Sequence, residues 1–418
     1  MAQKQVAVIG GGVVGVCTAY FLAEAGHQVV VIERRGNVAE ETSFGNAGVM
    51  APGYITPWAR PGMPKNLLAY LFRAESPLLL NRSFSPSVWR WLRLWLAECE
   101  LGRFRVNMER MQRLALYSQD VLQQLRQHVS IEYEQTDGYL QLFRSEQDAA
   151  LAEPVRAMLA ELDMVHHVVD ADAARLIEPA LSASTALAGG LYYPHAETAN
   201  CPLLTKQMKH LAMSMGVQFH FGSNVGTIRQ QGARLTLGIG PESFDADAVV
   251  LAAGIESAQL LKSLGIRLPL CPVKGYSATA VIKDPDMAPR GALMDEAYRV
   301  AITRMGNRIR IAGIAELGAR NGTMNAAAQR TLSMVGNDWF PGAANYHSAT
   351  VWSGTQAMLP DGPPIVGATP LKNLFVNIGH GAHGLALALG SAKALSAVIS
   401  ERAPDISLDG LTLARFQK

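Results

Sequence analysis

Three glycines near the N-terminus have the spacing of a turn that binds a dinucleotide. Gly10, Gly12 and Gly15 form Gly-x-Gly-x-x-Gly directly after the apolar run Gln5–Ile9 and before an Ala- and Leu-rich segment with a helical pattern. In such a turn the first glycine makes the bend, the second lets backbone approach a pyrophosphate, and the third allows the helix to pack closely on the strand. The spacing therefore predicts a phosphate group at the N-terminus of the following helix, where free N–H groups favour an anion.

A carboxylate follows at the position where such a fold holds a ribose. Glu33 closes a second apolar run, 28–33, at about the 20-residue spacing of this fold. A carboxylate there accepts hydrogen bonds from ribose hydroxyls and repels a 2′-phosphate, so we expect an adenosine ribose without that phosphate. Val13, Val14 and Arg34 adjoin these residues, and we place them in the same cofactor site.

A second set of glycines, Gly379, Gly381 and Gly384, repeats this spacing near the C-terminus. The helix pattern that follows runs into 400–405, which holds no second strand ending in an acid, so a second dinucleotide domain is not predicted. We expect instead that this helix N-terminus, with Leu385, faces a flavin ring, because a helix dipole stabilises the anionic reduced ring. A helix start shaped only by close packing is the structural alternative.

The surrounding elements indicate how these groups are positioned. The first fifty residues read strand, turn, helix, strand, which predicts a parallel β–α–β unit. A loop rich in Gly, Pro and Asn at 42–64 is too apolar for a plain linker, and such loops are usually functional. Segments 274–282 and 298–314 alternate at period two, as in an antiparallel sheet with one solvated face. We therefore predict an α/β fold, α+β overall, in which a Rossmann-like nucleotide domain carries an inserted antiparallel-sheet substrate domain.

Length and composition set the domain count. The chain has 418 residues, enough for two or three domains of roughly 150 residues. With 49% hydrophobic and 17% charged residues, disorder is excluded. We place the nucleotide-binding domain at 1–64, 196–264 and 352–418, and the substrate domain at 65–195 and 265–351.

Charge and hydropathy restrict the partners. The net charge of +2 gives no footprint for nucleic acid. The chain opens with Met-Ala-Gln-Lys-Gln and enters a strand pattern at once, so no signal peptide is predicted. No apolar stretch is expected to reach the roughly 18 residues of a membrane span, and the nearest, 385–400, is predicted to be a buried helix. We expect a cytoplasmic protein. The region from Trp89 to Trp95 is more often core-facing in such a pattern, but Arg90, Trp91, Arg93 and Trp95 could form a basic aromatic face that touches the inner face of the cell membrane.

Other catalytic chemistries lack their motifs. The ten histidines include no His-Glu-x-x-His cluster, so no metal site is predicted, and no Gly-x-Ser-x-Gly turn follows a strand. The four cysteines stand far apart without a Cys-x-x-Cys pair: Cys17, Cys99, Cys201 and Cys271. We expect reduced thiols, as in a cytosolic protein.

A series of segments along nearly the whole chain resembles the FAD-dependent D-amino-acid oxidase and glycine oxidase superfamily, and more closely the bacterial D-amino-acid dehydrogenase small-subunit family. The segments are 8–15, 42–48, 52–62, 189–194, 197–198, 272–276, 295–304, 311–316, 352–354, 360–362 and 379–381. The resemblance implies FAD buried between the two domains and oxidation of a Cα–N bond by hydride transfer to flavin N5. The products would be a 2-oxo acid and ammonia, with electrons passing to a quinone or respiratory carrier. No dedicated catalytic acid or base is implied, because positioning dominates this chemistry.

The resemblance also assigns residues to the cofactor. It implies that the loop after the second strand lines the flavin and pyrophosphate, that Val225 contacts adenine, and that Ala253 and Gly254 form a wall of the FAD site. The loop residues are Thr42, Ser43, Asn46, Ala47, Gly48, Val49 and Met50.

On the substrate side the resemblance implies Tyr54, Tyr276 and Tyr298, each with packing as the alternative role. The chain departs from the family pattern at Gln356, where relatives carry an arginine that forks onto the substrate carboxylate, and at His383. Arg60 is the first candidate for the missing cation and Arg299 the second.

These departures leave the substrate open. One alternative is an oxidase or dehydrogenase of a secondary amine or of an amine without a carboxylate. An alternative of another class is a flavin-bearing relay or assembly subunit of a heteromeric dehydrogenase.

Overall fold

A computed structural model describes residues 3–70, 75–80, 85–318 and 324–417. Met1 and Ala2 of the N-terminal opening lie outside the described residues. The strands are β1 (Gln5–Ile9), β2 (Gln28–Ile32), β3 (Val49–Met50), β4 (Leu78–Leu80), β5 (Asp137–Phe143), β6 (His167–Val169), β7 (Gly189–Thr198), β8 (Gln218–His220), β9 (Val225–Gln231), β10 (Arg234–Ile239), β11 (Glu242–Ala246), β12 (Ala248–Leu251), β13 (Cys271–Val281), β14 (Ala292–Asp295), β15 (Val300–Met305), β16 (Arg308–Leu317), β17 (Thr350–Met358), β18 (Ile365–Ala368) and β19 (Leu374–Ile378). The α-helices are α1 (Val13–Glu24), α2 (Met63–Tyr70), α3 (Pro86–Glu98), α4 (Leu101–His128), α5 (Glu146–Glu161), α6 (Ala171–Ile177), α7 (Cys201–Ser214), α8 (Ser257–Ser263), α9 (Ala326–Trp339) and α10 (Gly384–Ile399).

The predicted β–α–β unit forms the centre of a six-stranded sheet with the order β18-β19-β12-β1-β2-β8. All neighbours are parallel except β18 and β19. Val6 and Val8 of β1 face the core formed with α1, α7 and α10, whereas Ala7 and Ile9 face the core under β9 to β11. Because both faces are buried, β1 is a continuous apolar run rather than an alternating one.

The second sheet has ten strands and is mainly antiparallel, with the path β17-β13-β16-β15-β14-β5-β7-β3 and with β4 and β6 at its sides. The alternating segments at 274–282 and 298–314 fall on β13, β15 and β16, which pair antiparallel as expected. One face of this sheet packs against α9. The predicted fold class, with its Rossmann-like sheet and its antiparallel sheet, is confirmed.

Some elements lie across the predicted domain boundaries. The long helix α4, placed by sequence in the substrate domain, packs against α10 and shares a core with α1. At this contact the Gly390 N–H donates to Ser118 Oγ at 3.1 Å. Strand β3 joins the ten-stranded sheet although it falls within 1–64. The domain boundaries therefore stay a prediction.

One described helical segment, Gly381–Ile399, is long and apolar enough to cross a membrane by length and composition. Its 19 residues exceed the stretch expected from the sequence, but 67% of the window is buried inside the protein, as in a core helix. All four cysteines are free thiols, and all four are buried, which the spacing did not predict.

Candidate functional site

Two adjoining cavities lie between the sheets. The first, here the glycine cavity, measures about 620 Å³ and is lined by the turn after β1 and the N-terminus of α10. The second, here the arginine cavity, measures about 250 Å³ and is walled largely by the ten-stranded sheet. Residues that line both are Thr42, Asn46, Lys274, Trp352, Gly354, Gly379, His380 and Gly381.

Most predicted cofactor residues line the glycine cavity: Gly10, Gly12, Val13, Val14, Glu33, Arg34, Thr42, Ser43, Asn46, Val225, Ala253, Gly254, Gly379, Gly381, Gly384 and Leu385. Ala47 and Val49 line the arginine cavity instead. Gly15, Gly48 and Met50 line neither cavity among the described wall residues, because they are packed against protein. Met50 lies in the core shared by α1 and α10, and a Cβ on Gly48 would lie 2.7 Å from the Ala199 carbonyl oxygen.

The three glycines of the first turn serve different purposes. Gly10 has a φ of +112°, which side-chain-bearing residues rarely adopt. A Cβ on Gly15 would lie 1.9 Å from the Gly10 carbonyl oxygen, so its absence lets α1 reach the strand. By contrast, among the residues described, a Cβ on Gly12 would meet within 4 Å only Ser43 Oγ, at 3.3 Å. Protein atoms require the first and third glycines, and the space at Gly12 fits a pyrophosphate.

Glu33 holds the turn beside the end of β2. Its Oε2 accepts the Gly11 N–H at 2.5 Å and its Oε1 accepts the Arg35 N–H at 2.7 Å. The side chain is buried yet lines the glycine cavity, which fits a carboxylate that accepts ribose hydroxyls. Arg34 lines the same cavity and pairs with Glu41 at 2.6 Å.

The loop after β2 is held by a buried arginine that the sequence analysis missed. Arg310 Nη1 donates to the carbonyl oxygens of Phe44 and Asn46, both at 2.9 Å, and Nε donates to Thr279 Oγ1 at 3.1 Å. Burial lowers the pKa of Arg310 to about 10. Its position in β16, alternating with the apolar Ile309, made it read as part of a solvated face, and only the loop packed on that face shows otherwise.

The N-terminus of α10 lies where the cavities meet, which fits the expected position against a flavin ring. His380 is buried there, and its Nε2 lies 3.1 Å from Ser391 Oγ. Burial lowers the pKa of His380 to about 3. Burial first, and then the charge of Arg299, lower the pKa of His383 to about 4. Both imidazoles are therefore neutral near pH 7.

Four of the predicted substrate residues line the arginine cavity: Tyr54, Tyr276, Gln356 and His383. The Tyr276 hydroxyl donates to the Glu316 carboxylate, and Lys274 Nζ lies 5.2 Å from the Tyr276 ring centroid. Burial and the Glu316 charge raise the pKa of Tyr276. Lys274 and Glu316 had no assigned role in the sequence analysis, and they face each other in the β13–β16 ladder.

The charged residues in the described wall of the arginine cavity are all cations. Its described wall residues include Lys274 and Arg299 but no aspartate or glutamate. Arg299 Nη1 lies 2.6 Å from Oε2 of Glu296, which stands behind the wall, and the Arg299 guanidinium lies 5.9 Å from the Tyr54 ring centroid. Arg299 has a φ of +53°, a conformation that a non-glycine residue keeps only when its surroundings hold it.

Two predicted substrate residues are not brought to the wall, among the residues described. The Tyr298 ring centroid lies 4.7 Å from the Arg144 guanidinium, and the ring packs against the core under α9. Arg60 stands behind the wall, where burial and then the charge of Arg299 lower its pKa. No group of metal-ligating side chains occurs within the described ranges.

Comparisons with known proteins agree with this geometry. Residues 5–398 match the DAO family model, described as FAD dependent oxidoreductase. The chain is 40% identical over 417 residues to D-amino acid dehydrogenase 1 of Mesorhizobium japonicum, covering 99% of this chain and 100% of the relative. A crystal structure of glycine oxidase from Geobacillus kaustophilus has a TM-score of 0.77 at 22% identity, covering 99% of both chains. One of iminodiacetate oxidase from Chelativorans sp. BNC1 has a TM-score of 0.73 at 21% identity, covering 97% of this chain and 98% of the other.

The family match spans most of the chain, and the glycine cavity has the space, the carboxylate and the two helix N-termini that FAD requires. The predicted family, cofactor and enzyme class are confirmed. The chain belongs to the DAO family of FAD-dependent oxidoreductases.

Proposed function

We propose that this enzyme is a dehydrogenase that oxidises the Cα–N bond of a D-amino acid or a related imino acid. The observation that carries the proposal is the arginine cavity, which adjoins the glycine cavity and presents Lys274 and Arg299 with no carboxylate in its described wall. A cavity of that charge favours a substrate that bears a carboxylate. The identity to a D-amino acid dehydrogenase supports the same substrate class.

The wall residues position the substrate rather than exchange protons with it. Bound FAD would supply the hydride acceptor at N5. Hydrolysis of the resulting imine would give a 2-oxo acid and ammonia from a primary amino acid, whereas the product of a cyclic imino acid would keep its nitrogen. Tyr276, held by Glu316, and the neutral His383 offer hydrogen bonds without a full charge. The Gly12 backbone would approach the pyrophosphate, Glu33 the ribose, and the N-terminus of α10 the flavin ring.

The test is anaerobic reduction of the purified, FAD-loaded chain. We expect the flavin's visible absorption band to bleach with at least one D-amino acid or cyclic imino acid, and not with simple amines. Bleaching by carboxylate-free amines alone would favour the first alternative. A band that no amine or amino acid bleaches would favour a relay or assembly subunit.

We further propose that electrons pass to a quinone at a membrane surface. The predicted membrane face is wrong at Trp91 and Trp95, because both are buried in the core. Helix α3 instead exposes Trp89 at 61% and Leu96 at 48%. Arg90 and Arg93 are exposed on the same helix, a pattern suited to anionic lipid. We expect the protein to co-sediment with phosphatidylglycerol vesicles more than with phosphatidylcholine vesicles, and to reduce a quinone faster than dioxygen. Stoichiometric hydrogen peroxide at the full turnover rate would mark an oxidase.

A further inference from the structure

The arginine cavity has an uncharged side chain on β17 and a guanidinium on the turn before β15 among its wall residues. Gln356 of β17 lines the wall and offers hydrogen bonds but no charge. Arg299 lines the same wall from the turn before β15, with 27% of its side chain exposed. Arg299 does not line the glycine cavity, whereas Lys274 lines both. Arg299 is therefore the cation that belongs to the arginine cavity alone.

The charged side chains around Arg299 carry a net positive charge. Arg299 pairs with Glu296, whose side chain is only 8% exposed, and Arg60 lies close enough for the Arg299 charge to lower its pKa. Within the described ranges, no other carboxylate forms an ion pair with either arginine. Two guanidinium groups therefore share one carboxylate in a buried cluster. A further anion would complete the charge balance, because an uncompensated buried charge is unfavourable.

The bond between Glu296 and Arg299 is itself incomplete. Glu296 Oε2 accepts from Arg299, but Oε1 is buried without a hydrogen-bond partner in the described part of the chain. An arginine fork can hold two carboxylate oxygens in parallel, and Glu296 uses one. The guanidinium thus keeps donors for a second carboxylate.

We propose that Arg299, rather than residue 356, binds the substrate carboxylate, and that Glu296 competes for the same guanidinium and so weakens that binding. This rests on the proposed function only in taking the ligand to be a substrate. The carboxylate contact itself is a property of the cavity. It places the charged anchor on the turn before β15 and not on β17, and it gives Glu296 a role in setting affinity.

The test measures binding of propionate and of propionamide to the FAD-loaded protein by isothermal titration calorimetry. We expect Arg299→Gln to raise the Kd of propionate at least tenfold and to leave propionamide binding unchanged. Arg304→Gln is the matched control, because Arg304 lies on β15 and donates to the carbonyls of Gly306 and Pro289 outside the described walls of both cavities. Gln356→Leu should change the Kd of propionate less than threefold.

The competing role of Glu296 has its own variant. We expect Glu296→Gln to lower the Kd of propionate at least threefold and to enlarge the rise in melting temperature that propionate causes. A weaker affinity for propionate in this variant would overturn the competition. An Arg299→Gln protein that binds propionate normally, a wild type that binds none, or a larger effect at Gln356 would overturn the assignment of Arg299.

These outcomes separate the two proposals. If Arg299→Gln no longer binds propionate and the wild type oxidises no amino acid, the carboxylate site is supported and the proposed function fails. If the wild type oxidises D-amino acids and Arg299→Gln has an unchanged KM for them, the proposed function stands and the inference fails.

Discussion

The two cavities are built by different means. The glycine cavity is made largely of backbone: two glycine turns, two helix N-termini and a loop whose carbonyl groups are held by Arg310. The arginine cavity is made of side chains that come from distant segments, among them Tyr54, Tyr276, Arg299 and Gln356. A backbone site needs particular local spacings, whereas a side-chain site needs only that the chain brings its members together. A backbone site can therefore keep its shape even when the charges of the neighbouring side-chain site are different.

We expect the largest effect from a substitution that places a side chain in the glycine cavity. Gly12→Val should abolish retention of FAD, because the side chain enters the space where only Ser43 Oγ lies within 4 Å. The ratio of visible to ultraviolet absorbance after gel filtration measures retention. Gly36→Val is the control, since a Cβ at Gly36 meets nothing within 4 Å. A yellow Gly12→Val protein would refute the assignment of the glycine cavity.

The next effect concerns the loop. Arg310→Met removes two charge-assisted hydrogen bonds to carbonyls of the loop, each worth about 1.5–3 kcal/mol. We expect the Kd of FAD to rise about a hundredfold or more, measured by fluorescence quenching on titration of the apoprotein. Arg308→Met on the same strand, which loses only a pair with Glu134, should have little effect. Equal Kd values for the two variants would show that the loop keeps its shape without Arg310.

A smaller effect is expected at the ribose carboxylate. Glu33→Ala should weaken FAD binding by about 1.5–3 kcal/mol, because hydrogen bonds to the ribose are lost together with the bond from the Gly11 N–H, while Gly10, Gly12 and Gly15 still shape the turn. Glu33→Gln keeps an acceptor oxygen and should lose less. The same FAD titration measures both variants. An unchanged Kd in Glu33→Ala would show that the carboxylate serves only the Gly11 and Arg35 backbone.

The smallest effect is a pH dependence of stability. The pKa of His380 is about 3 in the folded chain, whereas the ordinary histidine pKa is 6.5. Below pH 6.5 the histidine is therefore protonated in the unfolded chain but stays neutral in the native chain. This group therefore lowers the free energy of unfolding by about 1.4 kcal/mol for each pH unit as pH falls from 6.5 toward 3. Urea unfolding between about pH 6.5 and pH 4 should show a shallower loss for His380→Asn than for wild type. A slope in His380→Asn equal to that of the wild type would contradict the burial effect.

Local chemistry made one half of the site predictable. Short-range spacing identifies Gly10, Gly12 and Glu33, because a turn and the end of the next strand are close in both sequence and space. Arg310 could not be predicted in the same way. Its partners, Phe44 and Asn46, lie far away along the chain, and a strand pattern shows only that residues alternate, not what covers each face.

The sequence by itself determined the β–α–β unit, the antiparallel sheet and the FAD family, because local patterns or ordered motifs specify each of them. Tertiary structure alone decided which of the two candidate arginines lines the arginine cavity. Arg60 was the first candidate by sequence, yet Arg299 stands at the wall and Arg60 behind it. Two residues with the same side chain differ there only in burial and in the charge of their neighbours, and both depend on how distant segments pack.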